Sequence, residues 1–218
     1  MNIKFAISSH INSYEKTYEL IVKSLIKSGI PLNDIYFFIG GFDKYEKCEN
    51  ILNINMYYVD HNSMDFTALI SVLDLNLESD YWFLLHDTLY VGDNFYNNIL
   101  NFNHSNYNTI KMTNDSKSMN IGSYKWSYLQ SNKFHILSMR NTDYSDNGLQ
   151  NIKNINVFKE DFIFEDNNIA YNTSIRNVNG PLDFYGNGVD RIVEHFVDID
   201  IFKIKANWLA KPVYEIKI

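Results

Sequence analysis

The chain has few of the residues that cross-link or break structure: 1 cysteine, 3 prolines and 9 glycines among 218 residues. The lone Cys48 excludes an internal disulfide and fits a reducing compartment. It lies in the polar run Asp43-Lys44-Tyr45-Glu46-Lys47-Cys48-Glu49 with no base beside it, so it reads as a bystander thiol. No apolar run reaches the roughly 18 residues that a membrane-spanning helix needs. No secretion signal precedes the first apolar run, and the expected location is the cytoplasm. Basic residues are also in deficit, with 19 Lys+Arg against 26 Asp+Glu and a net charge of −7. Such a chain is not expected to coat nucleic acid or an anionic membrane. Any phosphate site must be local, built from a metal ion, helix N-termini or a few cations.

What is present is a large apolar fraction, 45% of residues, enough for a sizeable core. No linker, repeat or low-complexity boundary divides the chain. The expectation is one α/β domain over 1–218, with a nucleotide-binding half at 1–113 and an acceptor or catalytic half at 114–218. Ile3-Lys4-Phe5-Ala6-Ile7 reads as a strand ending in Ser8-Ser9-His10. A helix capped by Ser13 follows, with Tyr18, Ile21, Val22, Leu25 and Ile26 as its stripe and a stop at Gly29 and Pro31. Ile35–Ile39 is a second buried strand, which makes a βαβ opening. Met56–Val59 is a third strand, and Ser63 is the expected cap of the helix after it. Tyr81–His86 is a fourth, followed by a helix capped by Asp93 and a strand at 109–113. The rest is less regular: weak strand alternation at 155–164, loop from Asn167 to Asn187, a helix over 188–197, and a last strand at 199–204.

The segment Tyr81-Trp82-Phe83-Leu84-Leu85-His86-Asp87-Thr88 carries the chemistry. An apolar run of this kind suits a strand buried on both faces, which places one carboxylate at its C-terminal tip, where open α/β sheets bind ligands. Asp87 there is either a ligand for Mn²⁺ or Mg²⁺ against nucleotide phosphates or the cap of the following turn. Asp65, in the first turn after Ser63, is placed by the helix dipole, or binds a ribose or base in the same crevice. Ser8 and Ser9 allow close approach of a nucleoside, or simply turn the chain. In Met119-Asn120-Ile121-Gly122-Ser123-Tyr124, Asn120 and Gly122 would meet a sugar ring, or form a turn. On the expected late helix, Asp190–Glu194 and Arg191–His195 are i, i+4 pairs. They read as a solvated face, or as a carboxylate and base lining an acceptor. Lys205, in Lys203-Ile204-Lys205-Ala206-Asn207-Trp208, would supply a cation to a leaving diphosphate, unless this is an edge strand with exposed lysines.

Together these segments resemble the GT-A class of nucleotide-sugar glycosyltransferases. The likeness is to the small N-terminal glycosyltransferase domain of chlorovirus proteins that build the capsid glycan. The stretches that carry it are Ile35–Gly41, His61–Thr67, Tyr81–Thr88 with Tyr90-Val91-Gly92, Ser118–Gly122 and Phe202–Trp208. The resemblance implies a central mixed, mostly parallel sheet flanked by helices. It also implies a UDP-sugar donor, a glycan acceptor, a Mn²⁺-type ion and transfer of glucose or a deoxyhexose such as rhamnose with retention. In a virus the location would be the host cytoplasm. Asp87 stands where the last acid of the family's Asp-X-Asp motif would stand, although His86-Asp87-Thr88 has one acid where the motif has two. Donor contacts are then expected from Ser8, Ser9, Asp65, His86, Asp87, Gly122 and Lys205. The oxocarbenium-like sugar and the acceptor would be served by Asn120 with Asp190 or Glu194. A nucleotidyltransferase or metal phosphohydrolase, and an inactive nucleotide-sugar-binding domain, are the alternatives.

Overall fold

A computed structural model describes residues 1–114, 120–140, 164, 169–173, 176–186 and 188–206. The expected elements at 155–163 and at 207–208 lie outside the described residues. The described chain is α/β, with an eight-stranded mixed sheet that is mostly parallel, helices on it, and a second sheet of four strands.

Strands β1 (Ile3–His10), β2 (Ile35–Gly40), β3 (Glu46–Cys48), β4 (Asn55–Tyr58), β5 (Tyr81–His86), β7 (Thr109–Thr113), β8 (Gly122–Lys125) and β9 (Ala170–Asn172) build the large sheet in the order β3-β4-β2-β1-β5-β8-β7-β9. β1 is parallel to both β2 and β5, and β2 is parallel to β4. The chain thus steps outward from β1 to β4 and returns to the other side of β1 as β5. The strand order reverses between β1 and β5, and in such sheets the ligand crevice opens beyond the C-terminal ends of the strands at that point. Ser8 lies level with His86 in this register.

Helix α1 (Tyr14–Lys27) buries Thr17, Ile21, Val22 and Leu25, and it ends in a Schellman motif. Gly29 takes φ +100°, while the Gly29 and Ile30 amides donate to the Ile26 and Leu25 carbonyls. Ser13 stands at the N-cap position without a capping bond, and its hydroxyl donates to Asp87. Helix α2 (Thr67–Asp74) is entered through a 3₁₀ turn at Met64–Phe66, so Phe66 rather than Ser63 is its N-cap. Helix α3 (Phe95–Asn101) begins after Asn94, not Asp93, whose carboxylate pairs with Lys27. Short helices α4 (Trp126–Ser131) and α5 (Lys133–Leu137) follow β8. One core on the α1 and α3 face joins Phe5, Ile7, Phe83 and Leu85 to Phe95, Phe196 and Ile201. A second, on the α2 face, joins Ala6, Phe38, Trp82 and Leu84 to Leu69, Leu73 and Leu129. No helix among the described residues is long and apolar enough to cross a membrane.

The second sheet corrects three expectations. Its order is β10 (Arg176–Leu182), β11 (Arg191–Phe196), β12 (Ile201–Ala206), β6 (Leu89–Val91). The helix expected over 188–197 is strand β11. Val189, Ile192, Val193 and Phe196 mimic a helical period, but antiparallel pairing on both sides of β11 satisfies its backbone. The loop expected over 167–187 contains β9 and β10, with Gly180-Pro181 at an irregularity in the β10–β11 register. β12 is an inner strand, and Lys203 on it is buried, so this is no edge with exposed lysines.

Gly122 is required by the sheet itself. A Cβ there would lie 2.2 Å from the Ile110 carbonyl oxygen of the neighbouring strand. Gly122→Ala is therefore expected to cost about 2 kcal/mol or more in stability, read from the urea midpoint at unchanged slope.

Behind α2 lies a buried polar network. The His61 ring bonds Ser63 Oγ at 2.9 Å through Nδ1, and Tyr45 Oη at 3.0 Å and Ser71 Oγ at 3.2 Å through Nε2. Tyr45 donates to Asp74, and Arg140 pairs with both Asp74 and Asp60. Burial, with Arg140 adding to it, lowers the His61 imidazole from 6.5 to about 4. Between those values the unfolded chain binds a proton that the folded chain refuses, so stability falls as pH drops through that window. A loss of about 3 kcal/mol is expected across it. Denaturation of wild type against His61→Gln checks this, because the variant should have the shallower pH slope.

Candidate functional site at the sheet tip

Asp87 leaves β5 at the point where the strand order reverses. The alternation of β5 sends His86 to the α2 face and Asp87 to the α1 face. Burying a carboxylate is costly unless its charge is met by donors. Asp87 Oδ2 accepts hydroxyl hydrogen bonds from Ser9 at 2.6 Å, Ser13 at 3.0 Å and Thr17 at 3.0 Å. All three hydroxyls come from the tip of β1 and the start of α1. Asp87 Oδ1 accepts none among the described residues. One oxygen is fixed, and the other has no hydrogen-bond donor among the described residues. Ser9 joins Asp87 as expected of a tip residue, whereas Ser13 and Thr17 were not singled out as site residues. Their signal was there: they are the small hydroxyl residues that open the helix after β1.

On the other face, Ser8 Oγ donates to the Asp65 carbonyl at 3.0 Å and accepts the Ala68 amide at 3.0 Å. Ser8 therefore ties β1 to the start of α2 and is not open to a ligand through those bonds. His86 Nδ1 stands 3.7 Å from Asp65 Oδ1, too long for a hydrogen bond. Burial lowers the His86 pKa, with Asp65 opposing and Lys203 reinforcing the shift, so the ring is neutral at pH 7. His86 Nε2 is buried without a hydrogen-bond partner among the described residues. Asn120 is buried in the left-handed region, φ +66°, and its carbonyl accepts the Tyr124 hydroxyl at 2.6 Å. The β5–β8 register, carried beyond its last pair, brings Asn120 level with His86.

The second sheet closes the crevice. The Ile204 amide donates to the Thr88 carbonyl at 2.9 Å, which anchors the end of β12 beside Asp87. Tyr185, after β10, lies within reach of the Asp87 charge. Its phenol pKa is raised mainly by burial, with Asp87 adding and Arg191 opposing. His10, at the end of β1, has its pKa lowered by burial, with Asp87 opposing.

The expected residues of the late helix part company. On strand β11, Asp190–Glu194 and Arg191–His195 are no longer neighbours on successive turns. Buried Glu194 meets Lys205 Nζ at 2.8 Å and Arg176 Nε at 3.6 Å. This ion pair engages both Glu194 and Lys205 within the sheet. Asp190 is exposed ahead of β11. His195 points to the opposite face, where it stacks on Phe202 at 3.9 Å and bonds Asp200 at 3.0 Å. Gly122 is accounted for by the strand beside it. Among the described residues, no group of three or more His, Cys, Asp or Glu side chains comes together as a metal cluster.

Removing one hydroxyl from the Asp87 cradle tests its worth. Thr17→Val keeps the shape and removes a hydrogen bond to a charged acceptor. A loss of about 2 kcal/mol is expected in chemical denaturation.

Compared with known proteins, the sequence matches no family model and no curated protein.

Proposed function

We propose that the protein is a metal-assisted GT-A glycosyltransferase that moves a hexose or deoxyhexose from a UDP-sugar to a glycan acceptor, with retention. The observation that carries this reading is the Asp87 carboxylate where the strand order reverses, with one oxygen fixed by three hydroxyls and the other without a donor among the described residues. A hard cation such as Mn²⁺ or Mg²⁺ suits this donor. Such ions accept one protein oxygen when phosphate oxygens and water complete the shell. When bound, the ion would neutralise charge on the departing diphosphate.

The chain's own residues would do the rest. Ser9, Ser13 and Thr17 keep Asp87 in one orientation, so little reorganisation is needed when the donor arrives. Asp65 and neutral His86 border the crevice on the α2 side. Asn120 is at the level of the reacting sugar. Of the two carboxylates expected on the acceptor side, Asp190 is the exposed one, while Glu194 is held by Lys205 and Arg176.

Asp87→Ala is expected to abolish UDP binding in the presence of Mn²⁺ as read by calorimetry. Unchanged affinity would remove the metal assignment. A screen of UDP-sugars with Mn²⁺, read by mass spectrometry for slow donor hydrolysis, tests turnover without knowledge of the acceptor. Binding of UDP without hydrolysis of any donor would favour an inactive binding domain.

A further inference from the structure

A second concave site lies at the opposite end of the large sheet from Asp87. A cleft of about 630 Å³ opens between the turn that joins β3 to β4 and the 3₁₀ turn Leu32–Asp34 that precedes β2. That volume falls within the range of small-molecule clefts, roughly 300–1,000 Å³. The cleft borders the N-terminal ends of β2 and β4, whereas Asp87 stands beyond the C-terminal ends of the parallel strands. The 6 residues of β2 separate the two places by about 20 Å at the usual rise of a strand.

Part of the polar lining is spent on holding the cleft in shape. The Asn50 amide donates to the Ile54 carbonyl at 2.9 Å, and its oxygen accepts the Ile54 amide at 3.2 Å. Asn55 donates to the Asn33 carbonyl at 3.0 Å and accepts Lys47 Nζ at 3.2 Å. Three other lining side chains are exposed and uncommitted. Asn33, Glu49 and Asn53 make no side-chain hydrogen bond or ion pair among the described residues. Beside them Ile51 is 81% exposed, an aliphatic surface on the same cleft.

This donor set selects the ligand. Lys47 is engaged with Asn55 and Glu49 adds negative charge, so an anion is not favoured. One carboxylate is too few oxygens for a hard cation with no phosphate to complete its shell. Two amides that both donate and accept, a carboxylate that accepts, and an aliphatic surface match a neutral molecule with many hydroxyls and a C–H face. We propose that this cleft binds a neutral saccharide, its hydroxyls on Asn33, Glu49 and Asn53 and its C–H face on Ile51. Nothing in the site depends on Asp87 or on a nucleotide. In a sugar-transferring protein it would hold a unit of the acceptor remote from the one being extended, and that link alone rests on the glycosyltransferase reading.

NMR titration of the isotope-labelled full chain with glucose, with rhamnose and with glycerol tests the site. At least one sugar should give saturable shifts at the Asn33 and Asn53 side-chain amides and at the Glu49 and Ile51 backbone amides, and glycerol should not. Asn53→Gly removes one amide and suits the left-handed backbone there, φ +54°. Asn53→Gly and Glu49→Gln should each weaken the sugar about threefold or more. Both positions are exposed, and circular dichroism confirms that the variants are folded. No saturable shift in the cleft with either sugar overturns the proposal, as do wild-type affinity in both variants and shifts that glycerol reproduces. Sugar binding in the cleft of a chain that fails to bind UDP with Mn²⁺ keeps the saccharide site and removes its link to an acceptor.

Discussion

The structure turns on how a carboxylate is held at the end of a buried strand. β5 is apolar and covered on both faces, so Asp87 leaves it into surroundings that water reaches poorly. An unpaired buried charge would cost several kcal/mol. The chain meets that cost with hydroxyls instead of a cation: Ser9 from β1 and Ser13 and Thr17 from α1 all donate to one oxygen. Hydroxyls fix the carboxylate without cancelling its charge, whereas a lysine or arginine would neutralise it. The same three bonds join β1, α1 and β5, so the site and the centre of the fold are stabilised together.

The second sheet gives this arrangement an opposite wall. It is built from β6, which directly follows the tip of β5, and from β10, β11 and β12 late in the chain. On its core-facing side Glu194, Lys205 and Arg176 engage one another and hold the strands in register. On the other side, which carries Arg191 with His195, the Arg191 guanidinium lies over the Tyr185 ring. Charge in this acidic chain is thus arranged locally.

The first half of the fold was legible in the sequence because its strands are buried on both faces and its helices bury one stripe. Ile35–Ile39 and Tyr81–Leu85 admit little else once Gly, Pro and polar residues bound them. The second half was not, for specific reasons. Val189, Ile192, Val193 and Phe196 fit a helical spacing, yet β11 is decided by partners far along the chain, such as Phe202 stacked on His195 and Lys205 on Glu194. Local pattern carries no record of such contacts. Caps were misread for a related reason. Ser13 and Ser63 have the right residue type, but their hydroxyls are taken by Asp87 and His61. The placement of Asp87, Ser9 and His86 at the sheet tip was legible because strand tips are predictable. Gly122 has a packing role and Glu194 an ion pair, which only the sheet neighbours reveal.

The central claim is that the open oxygen of Asp87 receives a divalent ion carrying a nucleotide diphosphate. Crystals soaked with UDP and Mn²⁺, measured with anomalous scattering from manganese, test it most directly. The account predicts one manganese peak bonded to Asp87 Oδ1, with the diphosphate on its far side and the three hydroxyls still on Oδ2. Nucleotide bound elsewhere, or bound in the crevice with Asp87 Oδ1 untouched and no manganese beside it, would contradict the account.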